Sequence, residues 1–216
     1  MLRKIFICAL LTALLVTGCG NEKIIGTPDK AVLACAEIIM TGDSENLATA
    51  GYSADDKNAL RQAVVNSCIK SMKKIAPLSD ETAQILAQAY FDRLKGNVTF
   101  KTTLKSDGEK PVVELTTTPI DQAATAKTSA ADNSEIIALV GMVGKLKADG
   151  ATEDQLTSSP DVQKLAVSAL TKYINGVALQ PEKTFEVTCQ KVSGDDGTAH
   201  WEPEDGKALI DWLSVQ

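Results

Sequence analysis

One histidine and a few cysteines are the side chains best suited to catalysis in this chain of 216 residues. His200 is the single histidine, whereas zinc sites, Ser-His-Asp triads and Cys-His dyads all need histidine within a larger constellation. Followed by Trp201 and Glu202, it is more typical of a strand residue that makes one hydrogen bond. Glycine-rich phosphate loops and the GxSxG nucleophile motif are absent. We therefore predict no catalytic residue and no cofactor, and the chain is not predicted to be an enzyme.

Carboxylates close to the carboxyl end are the only candidates for a metal site. The set comprises Asp195, Asp196, Glu202, Glu204 and Asp205. These residues lack the alternating acidic spacing, the central glycine and the final glutamate of an EF-hand calcium loop. Turn formation and helix capping explain Asp195, Asp196 and Asp205 without a cation, so no metal is predicted.

The amino-terminal residues have the pattern of an export signal. Arg3 and Lys4 precede an apolar run of about a dozen residues, which is shorter than the roughly 20 residues of a membrane-spanning helix. Residues 16–19 read Val-Thr-Gly-Cys, and this resembles the lipobox of bacterial lipoproteins. The resemblance implies cleavage before Cys19, a diacylglyceryl group on its thiol, and a protein held at a membrane outside the cytoplasm. Which leaflet carries it stays open.

These features divide the chain into a signal peptide (1–18), a lipidated cysteine with a polar tether (19–26) and one globular domain (27–216). Without Arg3 and Lys4 the chain has 20 basic and 28 acidic residues, a net charge of about −8. Such a body repels nucleic-acid phosphates, so we predict no nucleic-acid partner. The predicted partners are the membrane, through Cys19, and an unidentified envelope protein or small ligand.

Three cysteines remain in the body once Cys8 and Cys19 are assigned to the export segment. Cys35 and Cys68 each lie on the apolar stripe of consecutive predicted helices, which makes them a candidate disulfide in an oxidising compartment. Another pairing that includes Cys189, or three packed thiols, stays open. No neighbouring cation or histidine in the sequence would activate any of them as a nucleophile.

The order of predicted elements is helices, hairpin, helices, hairpin, helix. An Asp107-Gly108 turn predicts a first hairpin with Ser106 opposite Glu109 and Phe100 opposite Leu115. Residues 119–132 are predicted as weak helix or loop. An apolar helix from residue 134 to 150 has Gly141 and Gly144 three apart, a spacing that lets another backbone approach closely in the core.

We predict an α+β fold in which the two hairpins form one antiparallel four-stranded sheet, polar on one face and covered by helices on the other. Two tandem units are the alternative. The helix of residues 27–32 running into Thr41-Gly42-Asp43, the strand 111–119, and the closing strand with its Gly-Asp turn and Trp201 resemble NTF2-like and cystatin-like domains. The insert 119–159 departs from that compact pattern.

Enzymes on NTF2-like scaffolds use carboxylate, tyrosine or histidine side chains that line a cone. The resemblance therefore implies a candidate pocket formed by Tyr90, Tyr173, His200 and Trp201. We expect a non-enzymatic, membrane-tethered binding or accessory module. The alternative is a cone that binds a small ligand or has weak enzymatic activity.

Overall fold

The computed structural model describes residues 23–131, 134–194 and 197–214, and these divide into two compact units. The helical unit comprises residues 65–96 and 121–178. The sheet unit comprises residues 23–64, 97–120 and 179–214 among those described. The units interleave along the chain instead of following one another as tandem repeats. The predicted boundaries 1–18, 19–26 and 27–216 stay predictions, and residues 1–22 lie outside the described ranges.

The elements follow one another in chain order. They are β1 (Lys23–Ile24), α1 (Pro28–Thr41), α2 (Ala54–Ile75), α3 (Asp80–Lys95), β2 (Phe100–Ser106), β3 (Val112–Thr117), β4 (Ile120–Asp121), α4 (Gln122–Ala131), α5 (Ser134–Ala148), α6 (Glu153–Ser158), α7 (Pro160–Asn175), β5 (Ala178–Leu179), β6 (Lys183–Ser193), β7 (Thr198–Pro203) and α8 (Gly206–Ser214). The α+β class is confirmed. Strands β4 and β5 form a separate two-stranded sheet.

The main sheet has five strands in the order β1-β7-β6-β3-β2. Its two hairpins join through antiparallel pairing of β3 with β6, as predicted. The prediction of four strands was wrong, because Lys23 and Ile24 add a parallel edge strand to β7. The backbone N–H of Ile25 continues this pairing with a hydrogen bond of 2.8 Å to Ala199 O. Part of the predicted tether is therefore a strand.

The predicted hairpin register was also wrong, by two residues. Phe100 pairs with Thr117 and Thr102 with Leu115, and the pairing is interrupted by a bulge between Leu104 and Ser106. Pro111 has no N–H to donate to β2, and its carbonyl instead accepts a hydrogen bond from Cys189 N at 2.8 Å. Because side chains alternate with a period of two, this slip leaves the predicted faces of the hairpin unchanged.

Helix α1 is the centre of the sheet unit. It begins with Pro28 and ends at Gly42, whose N–H bonds to Ile38 O from a left-handed conformation (φ 72°). No residue from 31 to 41 is exposed. Ala31 and Ala34 are fully buried, and such small side chains let the curled sheet approach the helix closely. Helix α8 covers the same part of the unit, since it also packs on α1.

In the helical unit, α7 packs against both α3 and α5. The Gln163 amide of α7 joins it to the start of α3, because Nε2 donates to Pro77 O at 2.7 Å and Oε1 accepts from Ser79 N at 3.1 Å. Residues predicted as weak helix or loop form α4, where buried Thr125 accepts a hydrogen bond from Ala178 N.

Helix α5 differs from its prediction. Leu139 is buried, but Ile137 is 68% and Val140 66% exposed. The predicted close backbone approach at Gly141 and Gly144 was wrong, because a Cβ added at either position would have no atom within 4 Å. Apolar residues occur all round α5, and α7 covers only one side of it. In the described ranges, no helix combines the length and the apolar character needed to cross a bilayer.

Candidate functional site

Five polar or sulfur-containing side chains form an electrostatically coupled group inside the sheet unit. We call Cys35, Tyr52, Cys189, His200 and Glu202 the polar cluster. Helix α1 supplies Cys35, strand β6 supplies Cys189, strand β7 supplies His200 and Glu202, and Tyr52 precedes α2.

Tyr52 links the members from α1 and β7. His200 and Glu202 are two residues apart on a strand and therefore share one face, with Nε2 of the histidine 3.0 Å from Oε1 of the glutamate. The ring of Tyr52 lies 4.7 Å from the His200 ring, centroid to centroid, at an angle of 51°. Its hydroxyl oxygen lies 3.5 Å from Cys35 Sγ. Tyr52 is only 8% exposed, so these contacts lie in the interior of the unit.

Two glycines allow the segment before α2 to reach β1 and β7. Gly51 has φ +100°, and a Cβ there would lie 2.8 Å from both His200 Cβ and Ile25 O. Gly26 has φ +76°, and a Cβ there would lie 2.7 Å from the carbonyl of Ala50. A side chain at either position would force backbone apart, because both the conformation and the space favour glycine.

Glu202 has one oxygen whose hydrogen-bonding capacity is unused in the part of the chain that the structure describes. The residue is 9% exposed, and its Oε2 is buried without a hydrogen-bond partner there. A buried carboxylate oxygen left in this way costs free energy unless a water or a ligand donates to it.

Burial raises the pKa of the two thiols and of the phenol in the polar cluster. It raises the pKa of the Cys35 thiol to about 11, a rise that the Tyr52 hydrogen bond reduces and the Glu202 charge reinforces. Burial, followed by the charges of Cys35 and Asp29, raises the pKa of Cys189 to about 12. The pKa of Tyr52 is raised as well, mainly by burial. Thiols and phenol are thus held neutral at physiological pH, which disfavours a nucleophilic role.

The four predicted pocket residues belong to different units. Tyr90 and Tyr173 lie in the helical unit together with Cys68, and burial is the main cause of the raised pKa of Tyr90, with smaller effects from the other two. His200 and Trp201 lie on β7 in the sheet unit, where they point to opposite faces because they are adjacent. His200 belongs to the polar cluster, and we assign Trp201 no role in it.

The three cysteines of the body are divided between the two units. Cys35, Cys68 and Cys189 are free thiols in the structure. Cys35 lies in the sheet unit and Cys68 in the helical unit, where burial raises the pKa of Cys68 to about 12. The disulfide between them stays a prediction. The predicted lipidation site, Cys19, lies outside the described residues.

The carboxylates considered for calcium have other contacts where they are described. Glu204 forms an ion pair with Lys110, and Asp205 Oδ1 accepts from Ala208 N at 2.8 Å at the start of α8. Asp195 and Asp196 lie outside the described residues. Within residues 23–131, 134–194 and 197–214, no group of three or more His, Cys, Asp or Glu side chains is placed to hold a metal ion.

Tyr52 was not predicted as a site residue, and Glu202 was considered only as a possible calcium ligand. The available signal was weak. Tyr52 directly follows Gly51 in a polar loop, and Glu202 is two residues from His200, which is the strand spacing for a shared face.

Comparison with known proteins gives information about the fold. No protein-family model matches the chain, and no curated protein matches it in sequence. One solved structure, described as a "putative lipoprotein (ycdA)" from Bacillus subtilis, superposes with a TM-score of 0.55 at 14% identity. The two chains share a fold. The superposition covers 88% of this chain but only 56% of the Bacillus subtilis chain, so this protein corresponds to little more than half of that one.

Proposed function

We propose that this protein is a lipid-anchored, extracytoplasmic accessory module that binds another envelope component and catalyses no reaction. The observation that carries the proposal is a signal pattern ending at Cys19, on a body with the fold of a protein described as a lipoprotein. The neutral, enclosed thiols and phenol of the polar cluster also favour binding or structure over catalysis.

The lipid anchor is tested by metabolic labelling with a radioactive fatty acid in a bacterial host. The wild-type chain should incorporate the label, and Cys19→Ala should not. Cys8→Ala is the matched control, because it removes another cysteine of the export segment and should leave labelling intact. An unlabelled wild-type chain, or a labelled Cys19→Ala chain, would contradict the proposal.

The accessory role is tested by cross-linking in intact cells followed by identification of the attached component. We expect one envelope protein to be captured by the wild-type chain and to be captured less by Cys19→Ala, since the unlipidated chain is no longer concentrated at the membrane. A purified chain that instead turned over a substrate would contradict a non-enzymatic role.

A second candidate, a small-ligand-binding domain of the NTF2-like or cystatin-like kind, is favoured by Glu202 Oε2, which is buried without a hydrogen-bond partner among the described residues. The sheet curled round α1 is compatible with such a domain. Native mass spectrometry of the purified chain tests it. A small molecule that is bound to the wild-type chain and absent from Glu202→Gln would support this candidate. A wild-type mass equal to that of the protein alone, under gentle desolvation, would count against it.

A further inference from the structure

Glu202 has one carboxylate oxygen whose hydrogen bonding is incomplete among the described residues. Its Oε1 lies 3.0 Å from His200 Nε2, whereas Oε2 is buried and has no partner there. The whole residue is 9% exposed, so bulk water reaches this oxygen poorly. Because a buried carboxylate oxygen without a donor costs free energy, a small molecule that donates a hydrogen bond to Oε2 would be stabilised.

Two other acceptors interact with this carboxylate. Tyr52 Oη lies 3.5 Å from Cys35 Sγ. Burial is the main cause of the raised pKa of both groups, and the charge of Glu202 raises it further. Glu202 Oε2 nevertheless makes a hydrogen bond with neither of them, so a bridging polar atom between the three would satisfy it. Cys35 and His200 are half-buried, so small solutes can reach the edge of the cluster.

The charge balance around Glu202 favours a cation over a neutral donor such as water. In the part of the chain that the structure describes, its ion pair is with His200, which is charged only when protonated, and not with a Lys or Arg. Asp and Glu also outnumber Lys and Arg among the described residues of the sheet unit. A positively charged donor therefore gains the attraction of a poorly neutralised carboxylate in addition to its hydrogen bonds.

We infer that Glu202 Oε2, Tyr52 Oη and Cys35 Sγ bind an ammonium group, either the ammonium ion or the head of a small primary amine. A primary ammonium group has three N–H donors and no acceptor, and the carboxylate, hydroxyl and thiol can each accept one. Its nitrogen needs a space close to that of a buried water molecule. A metal ion is disfavoured, because no three His, Cys, Asp or Glu side chains are grouped to hold one within the described ranges. The inference rests on the second proposed function and names the ligand class of the same site.

Isothermal titration calorimetry of the full-length chain in a mild detergent tests the ligand class. The probes are ammonium chloride and methylammonium chloride at constant ionic strength. The comparison probe is tetramethylammonium chloride, which has the same charge but no N–H. We expect saturable binding of ammonium alone, which assigns the site to the inorganic ion, or of methylammonium, which assigns it to primary amines. A chain that binds neither probe, or binds all three cations equally, would overturn the inference.

Variants of the cluster locate the binding. Glu202→Gln should weaken it by about tenfold or more, because the change removes the charge from the hydrogen bond. Glu204→Gln is the matched control and should leave binding unchanged, since Glu204 is an exposed carboxylate on the same segment that pairs with Lys110. Tyr52→Phe keeps the buried ring and should weaken binding by about threefold or more. Equal binding by the two glutamine variants, or unchanged binding by Tyr52→Phe, would overturn the inference.

Native mass spectrometry separates this inference from the function on which it rests. A neutral or acidic small molecule that is bound to the wild-type chain and absent from Glu202→Gln would overturn the ammonium class and leave the ligand-binding domain supported. A chain that carries no small molecule and binds neither ammonium probe would overturn both. A crystal structure grown with methylammonium in which Oε2 binds only water would also overturn the inference.

Discussion

His200 Nε2 lies 3.0 Å from Glu202 Oε1, and the same imidazole ring packs against Tyr52. One side chain therefore connects strand β7 to the loop that precedes α2. The His200 ring makes both contacts, so a substitution that removes the ring breaks both.

Replacing His200 with alanine should lower the free energy of unfolding by about 1–3 kcal/mol. The change removes the hydrogen bond to Glu202 and the ring contact with Tyr52, and it leaves both glutamate oxygens without a described partner. Urea titration followed by circular dichroism measures the effect. Lys207→Ala, which removes an exposed ion pair with Asp211, should change stability by less than about 0.5 kcal/mol. Equal effects of the two variants would contradict the structural role of the ring.

Gly51→Ala should be more destabilising than Gly197→Ala. Both glycines have positive φ, +100° and +78°, so each substitution strains the backbone by about 1 kcal/mol or more. Only at Gly51 would the added Cβ also collide with His200 and the Ile25 carbonyl, whereas nothing lies within 4 Å at Gly197. Thermal and urea unfolding of the two variants should separate by a further 1 kcal/mol, roughly the lower range for overpacking. Equal free energies of unfolding for the two variants would contradict the predicted collision at Gly51.

Ser79→Ala should cost about 1 kcal/mol, and Thr27→Ala should cost little. Both residues precede a helix, but Ser79 Oγ accepts a hydrogen bond from Thr82 N at 3.1 Å, while the Thr27 side chain makes no capping hydrogen bond. Chemical denaturation of both variants provides the measurement. A larger loss for Thr27→Ala would contradict this assignment of the caps.

The three thiols, of which Cys68 and Cys189 are buried and Cys35 is half-buried, should react slowly in the folded, reduced chain and faster as the pH rises. Folding raises the pKa of Cys35 to about 11 and that of Cys68 and Cys189 to about 12, so few thiolates form near pH 8. The raised values also mean that the folded chain binds more protons than the unfolded chain in alkali. The stability this provides is complete below the unfolded pKa of about 8.5 and is lost as the pH rises through the folded values.

Alkylation kinetics followed by mass spectrometry measure the reactivity, with the urea-unfolded chain as the control. Rapid modification of the folded chain at pH 8 would contradict these pKa directions.

Intact mass without reductant tests the separate prediction of a bridge between Cys35 and Cys68, because a disulfide lowers the mass by two hydrogens.

Local signals in the sequence specify where several helices begin and end. Thr27-Pro28, Ser53 and Ser79 mark where α1, α2 and α3 begin, and Gly42 and Gly96 mark where α1 and α3 end. These positions depend on short-range preferences for backbone conformation and for capping hydrogen bonds, and the residue types in the sequence indicate those preferences. The joining of the two hairpins was also predictable from their alternating faces.

What the sequence did not reveal depends on contacts between distant segments. The observed hairpin register differs from the predicted one by two residues, and both registers place the same side chains on each face. The observed register has a bulge between Leu104 and Ser106, and Pro111 pairs with β6. The apolar pattern of α5 predicted burial but not how many neighbours would cover it. The polar cluster escaped prediction because Cys35, Tyr52 and Glu202 come from three distant parts of the chain.

Strand β1 has a mechanical consequence. With Cys19 lipidated as proposed, only four residue steps separate the acyl chains from Lys23, a span of at most about 14 Å. A force on the domain would then be transmitted to the membrane through the parallel pairing of Lys23 with Thr198 and of Ile24 with Ala199. Strand β1 would then be the part of the domain held nearest to the lipid headgroups.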